Sequence, residues 1–260
     1  MLKRVLSALL FVVICCSACG KKDPEFKDTF SVIRERGELI VGVKTDTPPF
    51  GYLDKNGNNI GFDVDLAHYF AGKFLGDESK VKFVPVNAAN RILKLASGEV
   101  DMIIATMTVN PQRQMILDFS MPYHTAGQAM MVLRGSKLTS LMELNGKKAI
   151  VVFGSTVEKN LQTNVPGVTV IGYKTYPEGI QALKNGAADA MISDDTILLG
   201  FAIKDNSLKI LSKRYSKEPY AVAFRKEPES EKLMNAVNIE LKEAKNNGTL
   251  RDLKQKWGFN

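Results

Sequence analysis

Arg113 follows Asn110 and Pro111 at the start of a predicted helix. Its guanidinium is a planar fork of donors that matches a carboxylate bidentately, which a lysine ammonium cannot do; the plainer reading is a surface charge in a first helical turn. Ser155 and Thr156 come after Gly154 and open another helix. The unpaired backbone N–H groups there attract an anion, although Ser or Thr suits a simple N-cap as well. Asp194 directly follows a predicted strand over Ala188–Ile192, where a carboxylate can face a cleft and meet a cation. Asp195 is its competitor, and one of the pair can serve only as a cap. Thr106 and Thr108 alternate on an extended segment, so both can face one side; β-branched residues at a strand end are the alternative. Lys44, Arg91 and Tyr176 add two cations and a phenol, or else two exposed charges and a core ring. This chemistry is charge pairing rather than catalysis. The chain has two histidines, His68 in an amphipathic helix and His124 in a loop, no metal-ligand spacing and no GxSxG around Ser155.

The composition narrows the setting. Lys3 and Arg4 precede a short apolar run, Leu9 to Ile14, and then Ser17, Ala18 and Cys19. That is a secretory signal over residues 1–18, because the run is too short to span a bilayer and ends at small residues. Its end resembles a bacterial lipobox, which implies cleavage before Cys19 and a lipid on its sulfur. All three cysteines lie at or before position 19, so the exported chain has no disulfide and relies on its core. Roughly 240 residues then remain, enough for one large domain or two lobes. Removing Lys3 and Arg4 lowers the formal charge from +7 to +5. The charges are scattered without aromatic interleaving, which argues against nucleic-acid binding.

The elements that must position these residues alternate. Residues 19–36, polar at first and containing Pro24, read as a tether. Strands are expected at Leu39–Val43, Val81–Val86, Val100–Ala105, Ala129–Leu133, Lys148–Phe153, Val168–Tyr173, Ala188–Ile192 and Ala221–Phe224. Helices are expected at Phe62–Leu75, Ile92–Ala96, after Pro111, at Thr156–Thr163, Pro177–Lys184 and Thr196–Ile203, with two more closing the chain. Pro85 argues against a central place for its strand. Such alternation means an α/β fold with mostly parallel sheets flanked by helices. Stretches near Gln128–Leu133 and Tyr220–Phe224 are candidate crossings between two lobes. The expected division is 37–127 for lobe 1, 128–219 for lobe 2 and 220–260 returning to lobe 1, with the ligand cleft between them.

Several segments in order resemble the polar amino-acid family of periplasmic-type binding proteins of ABC importers. They are GFDVD at Gly61–Asp65, VDMIIATMTVNPQR at Val100–Arg113 with DFSMPY at Asp118–Tyr123, GST at Gly154–Thr156, ADAMISD at Ala188–Asp194 and NGTLRDLKQKW at Asn247–Trp257. Lys44 in GVKTDTPPF, Arg91 in NAANR and DDTILLG at Asp194–Gly200 are similar to the glutamate- and aspartate-binding lipoproteins within it. The resemblance implies a two-lobe fold joined by two hinge crossings, with no catalysis and no cofactor. It implies that Arg113, with the helix start at Ser155–Thr156, holds the ligand α-carboxylate, that Asp194 holds the ammonium, and that Thr106 and Thr108 complete the polar shell. Lys44, Arg91 and Tyr176 would then meet a side-chain carboxylate. Arg113, Lys44 and Arg91 against Asp194 make a site of +2, which suits glutamate or aspartate better than a basic amino acid. Glutamine or another polar amino acid is the alternative, and a dehydratase of the same fold a distant one. The partners implied are the amino acid, the permease subunits and a membrane reached through the lipid alone, for a monomer at the outer face of the cell membrane or in the periplasm.

Overall fold

A computed structural model describes residues 27–259. The expected signal sequence, Cys19 and the first part of the tether lie outside the described residues. The rest of the expected tether is not a tether. Thr29–Arg36 form helix α1, because Asp28 accepts a 3.0 Å bond from Ser31 N at its start and Gly37 closes it at φ 72°. Ile33 is fully buried in the first core, and Arg36 pairs with Asp101.

In chain order there follow β1 (Leu39–Lys44), β2 (Asp46–Thr47), β3 (Gly51–Leu53), β4 (Asn59–Ile60), α2 (Phe62–Leu75), β5 (Val81–Val86), α3 (Arg91–Ala96), β6 (Met102–Ile103), α4 (Pro111–Gln114), β7 (Leu117–Phe119), β8 (His124–Ala126) and β9 (Gln128–Leu133). After a 3-10 turn come β10 (Lys148–Val152), α5 (Val157–Asn164), β11 (Thr169–Tyr173), α6 (Tyr176–Lys184), β12 (Ala190–Asp194), α7 (Asp195–Ala202), β13 (Leu208–Ile210), β14 (Glu218–Tyr220), β15 (Ala223–Arg225), α8 (Glu231–Asn246) and α9 (Thr249–Lys256). The expected elements recur within a residue or two, except that Val100–Ala105 shrinks to the two-residue β6. The sequence reading missed the small three-stranded sheet β2-β3-β4, the short strands β7, β8, β13 and β14, and α1, whose apolar signals are too brief to show a period.

Two five-stranded sheets form the two lobes, in the orders β5-β1-β6-β15-β7 and β11-β10-β12-β9-β13. In each, four strands run one way and one runs against them: β15 in the first and β9 in the second. Those two reversed strands are the ones that enter from the neighbouring lobe. Pro85 sits where it costs no ladder bond, because β5 is an edge strand paired only with β1. The lobes are linked by β8 and β14, which pair antiparallel as a two-stranded ribbon. The crossings therefore lie at His124–Ala126 and Glu218–Tyr220, a few residues before the stretches expected from sequence.

Val41, Leu66, Phe70, Met102, Leu233 and Val237 pack in a first apolar layer that continues into the second lobe through Ile150 and Met191; Val132, Leu144, Val151, Leu161 and Ile192 pack in a layer of the second lobe alone. Helix α1 is part of the first layer, so Ile33→Ala should cost about 2–5 kcal/mol in a urea unfolding series. A residue in a tether would show no loss.

Candidate functional site

The loop after β6 is the least regular backbone near the lobe junction. Thr106 has φ 47°, the one non-glycine residue at positive φ among the described residues. It is therefore not on an extended run with Thr108, as expected from sequence; a β-branched residue in this region is strained. Two buried charges hold it there. Asp63, near the start of α2, accepts from Thr106 N at 3.0 Å and from the Tyr123 hydroxyl at 3.0 Å. Arg91, the first residue of α3, donates through Nη1 to the carbonyls of Ala105 and Thr106. Thr106 Oγ1 and Arg91 Nε are buried with no partner.

Helix α4 places Arg113. Asn110 caps it, accepting from Arg113 N at 2.8 Å, and Pro111 occupies its first turn. The guanidinium then turns inward, donating to Thr108 O at 2.8 Å and to Gly154 O of the second lobe at 3.0 Å. It is buried rather than a surface charge, and burial with Arg91 nearby lowers its pKa to about 9. Thr156 begins α5 without a side-chain cap. Its Oγ1 instead donates to Glu218 Oε2 at 2.8 Å and accepts from Gln128 Nε2 at 2.9 Å. Ser155 Oγ accepts a 3.4 Å bond from Val157 N. Thr108, Arg113, Ser155, Thr156, Asn160 and Glu218 line one cavity of about 570 Å³. A hollow of about 660 Å³ against the C-terminal helices, lined by His124, Lys245 and Lys254, contains none of the predicted residues.

The two aspartates at the junction of β12 and α7 have separate partners. Asp195 accepts from Gly127 N at 3.2 Å and pairs with Arg214 at 2.6 Å. Asp194 is buried, takes a short hydrogen bond from the Tyr220 hydroxyl, and leaves Oδ1 with no partner. It makes no capping bond to α7. Burial and the Glu218 charge push its pKa up to about 6, and burial raises Asp63 to about 6 as well.

Lys44, at the end of β1, is 1% exposed. Its ammonium lies over the Tyr176 ring, 4.8 Å from the centroid. Burial, with Arg91 adding to it, lowers its pKa to about 7. Among the described residues no carboxylate oxygen lies within the 4.0 Å ion-pair distance of Lys44 or Arg91. Tyr176 opens α6 from the other lobe, its backbone N donating to Asp46 at 3.4 Å. Phe50, the last residue of GVKTDTPPF, packs with Phe62, His124, Tyr220 and Phe259 inside the core. His68 sits elsewhere, bonded through Nδ1 to Glu78 O at 2.7 Å.

Of the nine predicted residues, Thr108, Arg113, Ser155 and Thr156 thus line the cavity, while Lys44, Arg91, Tyr176 and Asp194 form a buried group whose charges act on one another and on Arg113, with Thr106 held beside it by Arg91. Sequence reasoning missed Asp63, Gln128, Glu218, Tyr123 and Tyr220. Asp63 and Tyr123 were visible only as parts of motifs; Gln128, Glu218 and Tyr220 reach the junction from the hinge ribbon and its flanks. With Asp63 and Glu218 included, the buried cluster balances three cations against three carboxylates, so the +2 count does not hold.

Ligand-free stability should respond to the two raised aspartates. Their folded pKa values exceed the unfolded ones, so their stabilising protonation is complete below about pH 4 and lost as pH rises through about 6. Urea unfolding from pH 4.5 to 7 should show stability falling by on the order of 2 kcal/mol per group, and Asp194→Asn should flatten part of that slope.

Residues 39–260 match the model of the bacterial extracellular solute-binding proteins, family 3. The ABC transporter glutamine-binding protein GlnH of Bacillus subtilis is 36% identical, over 98% of this chain and 97% of its own length. A glutamine-binding protein of Geobacillus stearothermophilus is 40% identical over 77% of each. The crystal structure of a cysteine-binding protein from Campylobacter jejuni superposes with a TM-score of 0.85 at 30% identity, covering 90% of this chain and 95% of that one. This chain belongs to family 3 of the bacterial extracellular solute-binding proteins, and it is an amino-acid-binding member of that family.

Proposed function

We propose that the protein captures an acidic amino acid, glutamate or aspartate, between its lobes and delivers it to the permease subunits of an ABC importer. The observation that carries this reading is the pair Lys44 and Arg91, two buried cations without a carboxylate at ion-pair distance. A buried unpaired charge is costly, and a ligand side-chain carboxylate would offset that cost for both. Tyr176, whose ring packs under Lys44, closes the same end. The other groups suit the common part of an amino acid. Asp194 Oδ1 takes the ammonium, while the remaining N–H groups of Arg113 and the amides at the start of α5 take the α-carboxylate. Those two groups come from opposite lobes, so the ligand itself draws the cleft shut. We also propose the lipid on Cys19 as the tie to the membrane and a monomeric protein. The amino acid leaves chemically unchanged.

Glutamine is the second reading. The ligand named for each of the two relatives favours it, and so does the balanced charge of the buried cluster once Asp63 and Glu218 are counted.

Calorimetric titration of refolded protein with glutamate, aspartate, glutamine, arginine and cystine separates them. The expected result is 1:1 binding of glutamate or aspartate, weakened about 30-fold or more by Lys44→Met, because the ligand carboxylate loses a buried partner. Tight glutamine binding that survives Lys44→Met would overturn the acidic assignment. The pH dependence adds a second check. Lys44 is half-charged at about pH 7 in the free protein, and an acidic ligand needs it charged. Affinity for glutamate or aspartate should therefore fall between about pH 7 and 8.5, by up to tenfold per unit, with proton uptake on binding. Affinity for glutamine should not.

A further inference from the structure

The lobes touch at two places where a glycine of the second lobe meets bare backbone of the first. Gly200, inside α7, lies against Pro48; a Cβ built on it would overlap the Pro48 carbonyl carbon and oxygen. Gly154, between β10 and α5, lies against Ala88 in the same way, and its φ is 77°. These contacts flank the charged cluster. The Gly154 carbonyl accepts from Arg113 of the first lobe, and α7, which carries Gly200, begins directly after Asp194.

Gly200 is the more telling of the two. A glycine inside an α-helix costs about 1 kcal/mol relative to alanine. No positive φ requires glycine here, unlike Gly154. Within α7 itself alanine would be the better residue. The structural reason for glycine is the approach of Pro48 across the lobe junction.

We infer that Gly200 is a positioning residue for ligand capture: the absence of a side chain there is what lets the second lobe seat on the Pro48–Pro49 turn and complete the closed cleft. The inference rests on the proposed capture of an amino acid between the lobes. It concerns no group that touches the ligand. It predicts an unusual separation of effects. Gly200→Ala should leave the ligand-free fold as stable as before, or more so, yet hold the lobes apart. If the added methyl cuts the closed population to about a tenth, apparent affinity falls about tenfold.

The test compares wild type, Gly200→Ala and Gly135→Ala. Gly135 is a fair control because its Cβ would meet nothing within 4 Å and its φ is not positive. Each protein is titrated with glutamate and with glutamine by calorimetry. Small-angle X-ray scattering is recorded with and without the amino acid, and thermal unfolding without it. Trp257, the single tryptophan, lines the groove shared by Pro48 and Gly200 and gives a local fluorescence signal. The expected result is a wild type and Gly135→Ala that bind and contract alike. Gly200→Ala should bind about tenfold more weakly, contract less and change Trp257 fluorescence less, with an unfolding temperature no lower than wild type. Wild-type affinity and contraction in Gly200→Ala would overturn the inference, as would an affinity loss that merely follows a lowered unfolding temperature. If neither amino acid binds the wild type, the ligand assignment fails by itself. The ligand-free scattering then decides: a more open Gly200→Ala supports the positioning role, and superimposable profiles overturn it.

Discussion

Lys44, Arg91 and Arg113 are buried between the two sheets together with Asp63, Asp194 and Glu218, and taking six ionised groups out of water is the constraint around which this junction is arranged. Such groups are tolerated only when paired or fully hydrogen-bonded. The carboxylates meet that condition largely within the protein: Asp63 on Thr106 and Tyr123, Glu218 on Thr156 and Ser216, Asp194 on Tyr220. The cations meet it less completely. Arg91 and Arg113 lean on main-chain carbonyls, and Lys44 on an aromatic ring. Arg91 Nε and Asp194 Oδ1 are left buried with no partner, so the junction keeps an unused donor and an unused acceptor.

The same groups shape the backbone. Thr106 is held in a conformation that an L-residue with a branched Cβ resists, by Asp63 on its N–H and Arg91 on its carbonyl. Strain of this kind survives where the surroundings over-determine it. Asp63 comes from α2 and Arg91 from α3, so two helices packed on the first sheet fix the loop that leaves its central strand, β6. The loop in turn presents Thr108, whose carbonyl orients Arg113. A chain of local contacts thus runs from the core of one lobe to the guanidinium that reaches Gly154 in the other.

Closure depends on how near two backbones can come. The hinge is a ribbon of two short antiparallel strands, a narrow connection that permits rotation of one lobe on the other. The Arg113 guanidinium bridges the gap to the Gly154 carbonyl, and glycines of the second lobe lie directly against main-chain carbonyls of the first. The polar site and the bare backbone contacts are complementary, the first selecting a ligand and the second letting the lobes meet around it.

The sequence by itself determined the alternation of strands and helices, because apolar periodicity and the Pro and Gly signals are local. It also singled out candidate polar residues: Arg113 behind Asn-x-x, Ser155–Thr156 before a helix and Asp194 after a buried strand are each legible as candidates from a few neighbours. Tertiary structure alone decided what those residues face. Asp194 and Asp195 are adjacent in the chain, and only the packing of β9 and β14 against β12 and α7 sends one to Tyr220 and the other to Gly127 and Arg214. The charge balance of the site was likewise hidden, since Asp63 and Glu218 are more than 150 residues apart in sequence and enter the same cluster only after the chain has crossed between lobes twice. Helix α1 was hidden for the opposite reason. It is short, polar on most sides and anchored chiefly by Ile33, so its order comes from the core it joins and not from its own pattern.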